Sequence, residues 1–336
     1  MNALFFALNA VLPILLLAAF GFYLRVKKIF SHAFFIEGNK FCFRYAFMAL
    51  MFVNVYSIDN VGEIPWHLVW VAVFCILLLF LVGIPFVVIF VKKDTQKGVV
   101  LQSFFRSNFA VIGLSFASNM FGNEGMRTAA LMSAITVPLY NILAVIALSI
   151  FIKNDSGQKQ NVVRQCLRVL KNIATNPLII GVGAGFVCVF VRPFLGGWTL
   201  ETGQFSFLFN AIQTFSQLAM PMAIVMLGGL FNISNLKNEF GLIAASTLVR
   251  LVVAPVIGMA IALIAPHVLK IEQFTPPQLA ALLSLYGAPQ AVASVAMAEE
   301  MGSDCELAAQ LLVWSTLFCI LTMFIYIVIL RSVGLF

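Results

Sequence analysis

The segment that decides the architecture is LSLYGAPQAVASVAMAEEMG, residues Leu283–Gly302. It lies in an apolar run long enough to cross a bilayer, yet it places Gly287, Pro289 and Gln290 near the middle of that run. Inside a membrane, backbone leaves the helix only where protein or a water-filled cavity surrounds it, because each unpaired polar group costs several kcal/mol in lipid. The interruption is therefore either a simple proline kink in a packed helix or part of a binding site.

The composition places this segment in a helical membrane protein. Of 336 residues, 62% are hydrophobic and 10% are charged, whereas charged residues make up about a quarter of a soluble domain. Runs such as VAVFCILLLFLVGIPFVVIFV, residues Val71–Val91, are apolar on every face, unlike the alternating strands of a transmembrane β-barrel. The chain is therefore predicted to be an all-α polytopic protein embedded in the lipid bilayer.

Ten apolar runs approach the ~20 residues that a helix needs to cross hydrocarbon. The predicted spans cover residues 3–24, 41–57, 68–91, 100–121, 127–152, 175–195, 205–231, 240–265, 277–299 and 306–331. The longest polar segment divides them into two sets of five. We therefore expect a first five-helix repeat at residues 1–152, a cytoplasmic linker at 153–174 and a second, inverted repeat at 175–336, because an odd number of spans reverses the topology of the second half.

An internal match supports this repeat. At a shift of 180 residues, FGNEGMRTAALM (Phe121–Met132) lies over MGSDCELAAQLL (Met301–Leu312), and Gly122 aligns with Gly302. The identities are few, so chance agreement within a biased composition is the alternative. On this alignment span 4 corresponds to span 9, and both contain polar or helix-weakening residues at mid-depth.

The basic residues indicate the orientation of the chain. Most lysines and arginines, including Lys92, Lys93 and Arg106, are assigned to connections after the odd-numbered spans. By the positive-inside rule these connections are cytoplasmic, which predicts a bacterial-type inner membrane protein with both termini outside. The net charge of +7 is explained by these connections, and we expect no nucleic-acid partner.

Two broken helices from opposed repeats would make a site for an anion. Their half-helix N-termini would present free N–H groups near the midplane, and such groups favour negative charge. Asn108 in span 4 and Gln290 in span 9 would add neutral hydrogen-bond donors, while Gly287 and Pro289 would interrupt the helix. These four residues are the centre of the predicted substrate site.

Other polar residues lie within the predicted spans. Asn54 in span 2 and Asn141 in span 5 are further candidates for the substrate site, although interhelical hydrogen bonding is their default role. Arg250 in span 8 is a candidate counter-ion for a substrate, with snorkelling or structural pairing as alternatives. No catalytic triad, P-loop, HExxH motif or metal-type cysteine spacing occurs in the sequence, so we expect neither an enzyme nor a cofactor.

Five segments resemble the auxin efflux carrier family, which includes bacterial malate permeases and plant auxin carriers. In chain order they are FFRSNFAVIGLSFASNMFGNEGMRTAAL (Phe104–Leu131), TNPLIIGVGAGF (Thr175–Phe186), LAMPMAIVMLGGLF (Leu218–Phe231), LVRLVVAPVIG (Leu248–Gly258) and LYGAPQAVASVAMAEEMGSDCELAAQLL (Leu285–Leu312). Asn108 matches the polar crossover position of the family, and Pro289 matches its crossover proline. The usual proline of span 4 is replaced by Ser115, which leaves open whether this span is broken.

The resemblance implies ten helices in two inverted repeats, with broken helices 4 and 9 crossing in a transport domain. That domain would slide as an elevator against a scaffold of helices 1, 2, 6 and 7, which also suggests a homodimer. The expected function is secondary transport of a small organic anion such as malate. Two alternatives remain, namely a sodium-coupled carrier of the bile-acid type and a membrane sensor that binds without transport. Na⁺ and H⁺ are both candidates for the coupling ion.

Overall fold

The computed structural model describes residues 3–57, 65–151, 175, 177–195, 199–201, 204–230 and 239–336. Within these ranges the regular structure is helical, apart from one isolated bridge between two residues. The α-helices are α1 (Ala3–Val26), α2 (His32–Phe41), α3 (Phe47–Tyr56), α4 (Trp66–Phe90), α5 (Asp94–Phe105), α6 (Leu114–Ser149), α7 (Pro177–Val191), α8 (Ser206–Ser216), α9 (Ala219–Leu230), α10 (Phe240–Leu248), α11 (Ala254–Leu269), α12 (Pro276–Gly287), α13 (Ala293–Glu300) and α14 (Cys305–Ser332). Three π-helical segments extend this set, at Cys42–Ala46, Phe109–Gly113 and Val249–Val253.

Helical structure occupies most of the described residues in every predicted span. In the described ranges, six helical segments are long and apolar enough to cross a membrane, as judged by length and composition. The all-helical, multi-pass prediction is therefore confirmed. The ten crossings and the inverted repeat stay predictions, and the predicted linker at residues 153–174 lies outside the described residues.

The second predicted span begins earlier than the sequence indicated. Its helical stretch starts at His32 and runs through α2 and a π-helical segment into α3. Ser31 caps its first turn, where the hydroxyl accepts a hydrogen bond from the Phe34 N–H at 3.2 Å. Glu37 and Lys40 form an exposed ion pair in this part, and their charges hid these turns from a hydropathy criterion.

The two glycines that align in the predicted repeat share an unusual conformation. Gly122 (φ 58°) turns the chain sharply within the range of α6, and Gly302 (φ 70°) lies between α13 and α14. A positive φ is accessible to glycine without steric cost. This shared conformation accounts for glycine at both positions, and it fits the sequence alignment of the two halves.

The described residues form two compact units. The first unit comprises residues from Met1–Leu12, Trp66–Lys171 and Asn232–Phe336, and the second comprises residues from Pro13–Pro65 and Asn172–Phe231. The second unit thus contains the predicted spans 2, 6 and 7 and most of span 1, which is the set that the resemblance assigns to a scaffold. The first unit contains the remaining spans.

The second unit is packed through glycines at helix contacts. Gly228 lies against the backbone carbonyl of Ala18, and Gly181 lies against that of Met48, so a methyl group at either glycine would collide with main-chain atoms. Close backbone approach of this kind is typical of helix pairs in membranes. Gly181 in the GVGAGF segment and Gly228 in the MLGGLF segment are therefore required by packing within this unit.

In the first unit, helices differ strongly in burial. The second half of α12 is enclosed by protein, whereas α4 exposes large apolar side chains such as Trp70, Phe74 and Ile89. An apolar helix with an exposed apolar face is expected where lipid takes the place of a protein neighbour. The enclosed α12 ends at Gly287, where the predicted interruption of span 9 begins.

Candidate substrate site at a helix crossover

The first break lies between α5 and the π-helical segment Phe109–Gly113. Arg106 has extended backbone angles (φ −92°, ψ 118°), and Asn108 is also non-helical (φ −78°, ψ 50°). Span 4 is therefore broken although it contains no proline there. Ser115, which replaces the usual proline of the family, lies in the continuing helix and donates a hydrogen bond to the Val111 carbonyl at 2.8 Å.

The second break follows Gly287, the last residue of α12. Ala288 is extended (φ −64°, ψ 150°), as expected for a residue that precedes proline. Pro289 has no N–H to continue the helix, and regular helix resumes at Ala293 in α13. The predicted interruption of span 9 is thus present at the predicted residues.

The two breaks cross and exchange hydrogen bonds within the first unit. Ser107 and Gln290 form an isolated antiparallel bridge, and the Asn108 N–H donates to the Pro289 carbonyl at 2.7 Å. The Ser107 hydroxyl donates to the Leu285 carbonyl, also at 2.7 Å. Each break thereby satisfies polar backbone groups that the other leaves free, which lowers the cost of placing non-helical backbone in a membrane.

Arg106 is the cation of the first break. Its side chain is 2% exposed, and the guanidinium donates hydrogen bonds to Gln102 Oε1 (2.8 Å), Met297 Sδ (3.0 Å) and Asn141 Oδ1 (3.0 Å). These neutral acceptors lie on α5, α13 and α6, so the arginine links three helices. The ion pairs found among the described residues do not include this guanidinium. Among the described residues, its charge therefore has no acidic partner.

Arg250 is a second buried cation near the crossover. It lies in the π-helical segment Val249–Val253 and is 1% exposed. Its guanidinium donates a hydrogen bond to the Tyr286 carbonyl near the end of α12. The Tyr326 hydroxyl donates to the carbonyl of Leu251 in the same segment at 3.1 Å, which supports this irregular turn. The charge is buried in the protein, so the snorkelling alternative is wrong.

Several buried polar atoms at the crossover have no hydrogen-bond partner among the described residues. They include Asn108 Nδ2, Gln290 Oε1 and Ser284 Oγ. Asn108 is 3% exposed, so solvent at the surface does not satisfy its amide. Buried polar groups are nearly always paired, and an orphaned set of donors and acceptors calls for a missing partner such as a ligand or water.

Five of the six predicted site residues come together at this crossover. Asn108, Gly287, Pro289 and Gln290 form the two breaks, and Asn141 accepts from Arg106. The sixth, Asn54, belongs to α3 in the second unit. Its side chain lies outside the described part of the structure, so its role stays a prediction.

Sequence reasoning misplaced Arg106. It was assigned to the cytoplasmic connections as an orientation charge, whereas its side chain is buried at the first break. The signal was present in the sequence, because Arg106 lies inside the predicted span 100–121 and two residues before Asn108. An arginine within a predicted span is by default a functional hypothesis.

The fold and the crossover define a multi-pass helical membrane protein with a polar centre in its first unit. A family model described as membrane transport protein matches residues 6–327. Because this match covers nearly the whole chain, the chain belongs to that family, the auxin efflux carriers, and is a membrane transporter. The resemblance inferred from the five segments is confirmed. No curated protein matches the chain at a significant level.

Proposed function

We propose that the protein is a secondary transporter that moves a small organic anion, a carboxylate such as malate, across the cytoplasmic membrane. The observation that carries this proposal is the buried guanidinium of Arg106, which has neutral protein partners in the described structure. An isolated buried cation costs free energy unless a counter-charge is present. A carboxylate substrate would supply that charge and accept two hydrogen bonds from the planar guanidinium.

The orphaned amides supply the neutral part of the proposed site. Asn108 Nδ2 is a donor without a protein partner and lies two residues from Arg106. Gln290 has an unpartnered Oε1, while its Nε2 makes a long hydrogen bond of 3.5 Å to Ser294 Oγ. Rotation of this amide would turn a donor toward an anion, and a hydroxyl group on the substrate could instead donate to Oε1. This combination fits a hydroxycarboxylate such as malate.

The helix termini at the breaks favour the same charge. The π-helical segment that leads into α6 starts at Phe109, and α13 starts at Ala293. The N-terminal end of a helix carries partial positive charge and free N–H groups. Two such ends beside Arg106 would attract a carboxylate, in the manner of transporters built from discontinuous helices.

The two compact units support an elevator mechanism. In this proposal the first unit carries the crossover and its anion across the membrane, and the second unit serves as the scaffold and as the homodimer interface. Both termini lie outside the cytoplasm, as the distribution of basic residues predicts. Alternating access follows when the first unit exposes the crossover to one side and then to the other.

The decisive experiment is uptake by purified protein in liposomes. Labelled malate would be offered under separately imposed sodium, proton and voltage gradients, with a neutral sugar and an amine as control solutes. We expect saturable uptake for which other carboxylates compete and the control solutes do not. If malate and a wider carboxylate panel give no flux while the protein stays folded, the transport proposal is rejected. Binding of the same compounds then decides whether the protein is a sensor.

A further inference from the structure

The first unit contains a lateral groove between α4 and α11, formed by residues that the crossover does not use. It is lined by residues between 67 and 74 of α4, by residues between 261 and 269 of α11 and by Ile271. Its volume is about 790 Å³, within the range of roughly 300–1,000 Å³ that is typical of ligand pockets. The lining is aliphatic and aromatic apart from His67.

The groove is concave and open along its side. Val71 and Ala265, which are 4% and 8% exposed, form its floor, whereas Trp70 and Val268, which are 66% and 69% exposed, form its rims. The rims are thus not covered by any other described part of the protein. In a multi-pass membrane transporter, an exposed apolar surface of this kind is in contact with lipid.

The groove begins at one end of the two helices and runs inward along them. His67 lies in the first turn of α4, and Leu269 is the last residue of α11. From His67 to Phe74 the helix rises roughly 11 Å, at 1.5 Å per residue. One leaflet of the hydrocarbon core is about 15 Å thick. The groove therefore extends through most of one leaflet, which is the space that a lipid acyl chain occupies.

Polar groups lie at one end of the groove. His67 belongs to this end, and the exposed Lys270 and Glu272 follow α11 directly. The opposite end, at Phe74 and Ile261, is apolar. A groove with apolar walls and a polar end matches an amphiphile whose head lies at the membrane interface and whose tail lies in hydrocarbon.

The charges at the polar end indicate which part of a headgroup is recognised. Lys270 and Glu272 have opposite charges, so a net negative charge on a lipid gains little there. Lys270 follows the lining residue Leu269, and lysine is a common binder of phosphate. The phosphate group is common to all phospholipids, whether their net charge is zero or negative.

We propose that the groove between α4 and α11 is a binding site for one phospholipid of the bilayer, with an acyl chain along the groove and the phosphate at Lys270. The bound lipid joins two helices of the first unit and stays with the protein during purification. This inference is independent of the proposed substrate, because it rests on the shape of the groove and on the membrane location of the transporter family.

The first test is native mass spectrometry of the detergent-purified wild-type protein, followed by thermal unfolding after removal of its lipid. We expect one phospholipid per chain. Added dioleoyl phosphatidylethanolamine and dioleoyl phosphatidylglycerol should raise Tm saturably and about equally, because a ligand of the folded state stabilises it. Dioleoylglycerol, which lacks the phosphate, should bind about fivefold more weakly. Absence of both a retained phospholipid and a saturable rise in Tm overturns the proposal, and equal binding of dioleoylglycerol overturns the phosphate contact.

A pair of substitutions distinguishes a lipid in the groove from the surrounding bilayer. Val268 and Val88 are both exposed, at 69% and 54%, and Val88 lies outside the groove lining. We expect Val268→Trp, which fills the groove, to lose the retained phospholipid and the rise in Tm, whereas Val88→Trp should keep both. Equal lipid retention by the two variants overturns the proposal. If Val268→Trp does not fold, Trp70→Ala, which removes a wall, decides and should weaken lipid binding about tenfold.

A second pair tests the phosphate contact. Lys270 (φ 53°) and Lys28 (φ 56°) have the same left-handed backbone conformation, so replacement by methionine imposes the same backbone strain at both positions. We expect Lys270→Met to lower the affinity for phosphatidylethanolamine about fivefold, and Lys28→Met, in the second unit, to leave it unchanged. The measurement is the lipid concentration at half-maximal rise in Tm. Unchanged affinity in Lys270→Met overturns the assignment of the phosphate to Lys270.

Discussion

The two breaks of the crossover reach similar geometry from different sequences. The second contains Pro289, which forbids continuation of α12, whereas the first runs through Arg106 and Asn108 without a proline. Helix α4 adds a third case, because it contains Pro85 and remains a continuous helix. A proline is therefore neither necessary nor sufficient for a break. What the two breaks share is the exchange of hydrogen bonds across the crossover.

The comparison also separates the chemical roles of the two breaks. The first contributes a buried cation and an orphaned amide, and the second contributes backbone carbonyls and the side chain of Gln290. If one anion binds both, substitutions in the first break should affect affinity most strongly. Substitutions in the second should act chiefly through the backbone.

The largest effect is expected for Arg106→Met. Loss of one partner of a buried charge pair costs several kcal/mol, so carboxylate uptake should fall roughly 100-fold. The check is the initial uptake rate in proteoliposomes at matched protein density. Arg44→Met is the control for loss of one positive charge, and uptake by Arg106→Met within twofold of wild type would remove Arg106 from the site.

A smaller effect is expected for Pro289→Ala. The alanine restores an N–H and relaxes the restriction on Ala288, so α12 can extend and pull Gln290 away from Ser107. Uptake should fall about tenfold while Tm stays close to that of wild type. Pro85→Ala in the exposed face of α4 is the matched control and should transport normally. Wild-type uptake by Pro289→Ala would show that the exchanged hydrogen bonds alone maintain the second break.

Asn108→Ala tests the orphaned amide of the first break. The side-chain Nδ2 has no described protein partner, whereas the backbone N–H that bonds to Pro289 is retained. We expect KM to rise about fivefold, as for the loss of one hydrogen bond, with no loss of thermal stability. A fall in Tm with unchanged KM would instead assign Asn108 to the framework of the crossover.

Ser107→Ala should affect stability more than transport. The hydroxyl donates to the Leu285 carbonyl at 2.7 Å and lies 3.3 Å from the Tyr140 hydroxyl. Its removal should lower the free energy of unfolding by about 1 kcal/mol and change uptake about twofold or less. Denaturant or thermal unfolding checks the first expectation. A strong loss of uptake without destabilisation would place Ser107 in contact with the substrate.

The sequence predicted the helical class, the family and the second break because these depend on local signals. Long apolar runs indicate helices that cross the lipid bilayer. Gly287 and Pro289 mark the interruption of span 9. The glycines at 122 and 302 were matched by sequence alone, and both have positive φ. These features could be identified without knowledge of any tertiary contact.

The first break and its cation could not be placed in the same way. The break at Arg106 depends on hydrogen bonds to a segment about 180 residues away, and no proline marks it. Arg106 was assigned to a loop because a charge near the end of an apolar run usually signals orientation. Its contacts with Asn141 and Met297 arise from tertiary packing, which hydropathy does not encode.

The central claim is that the crossover binds a carboxylate through Arg106. Equilibrium binding of labelled malate to purified wild-type protein, Arg106→Met and Arg44→Met tests it most directly, with unlabelled carboxylates as competitors and circular dichroism and Tm to verify folding. The account predicts saturable, competed binding to wild type and Arg44→Met, and loss of that binding in folded Arg106→Met. Equal binding by all three proteins would contradict it.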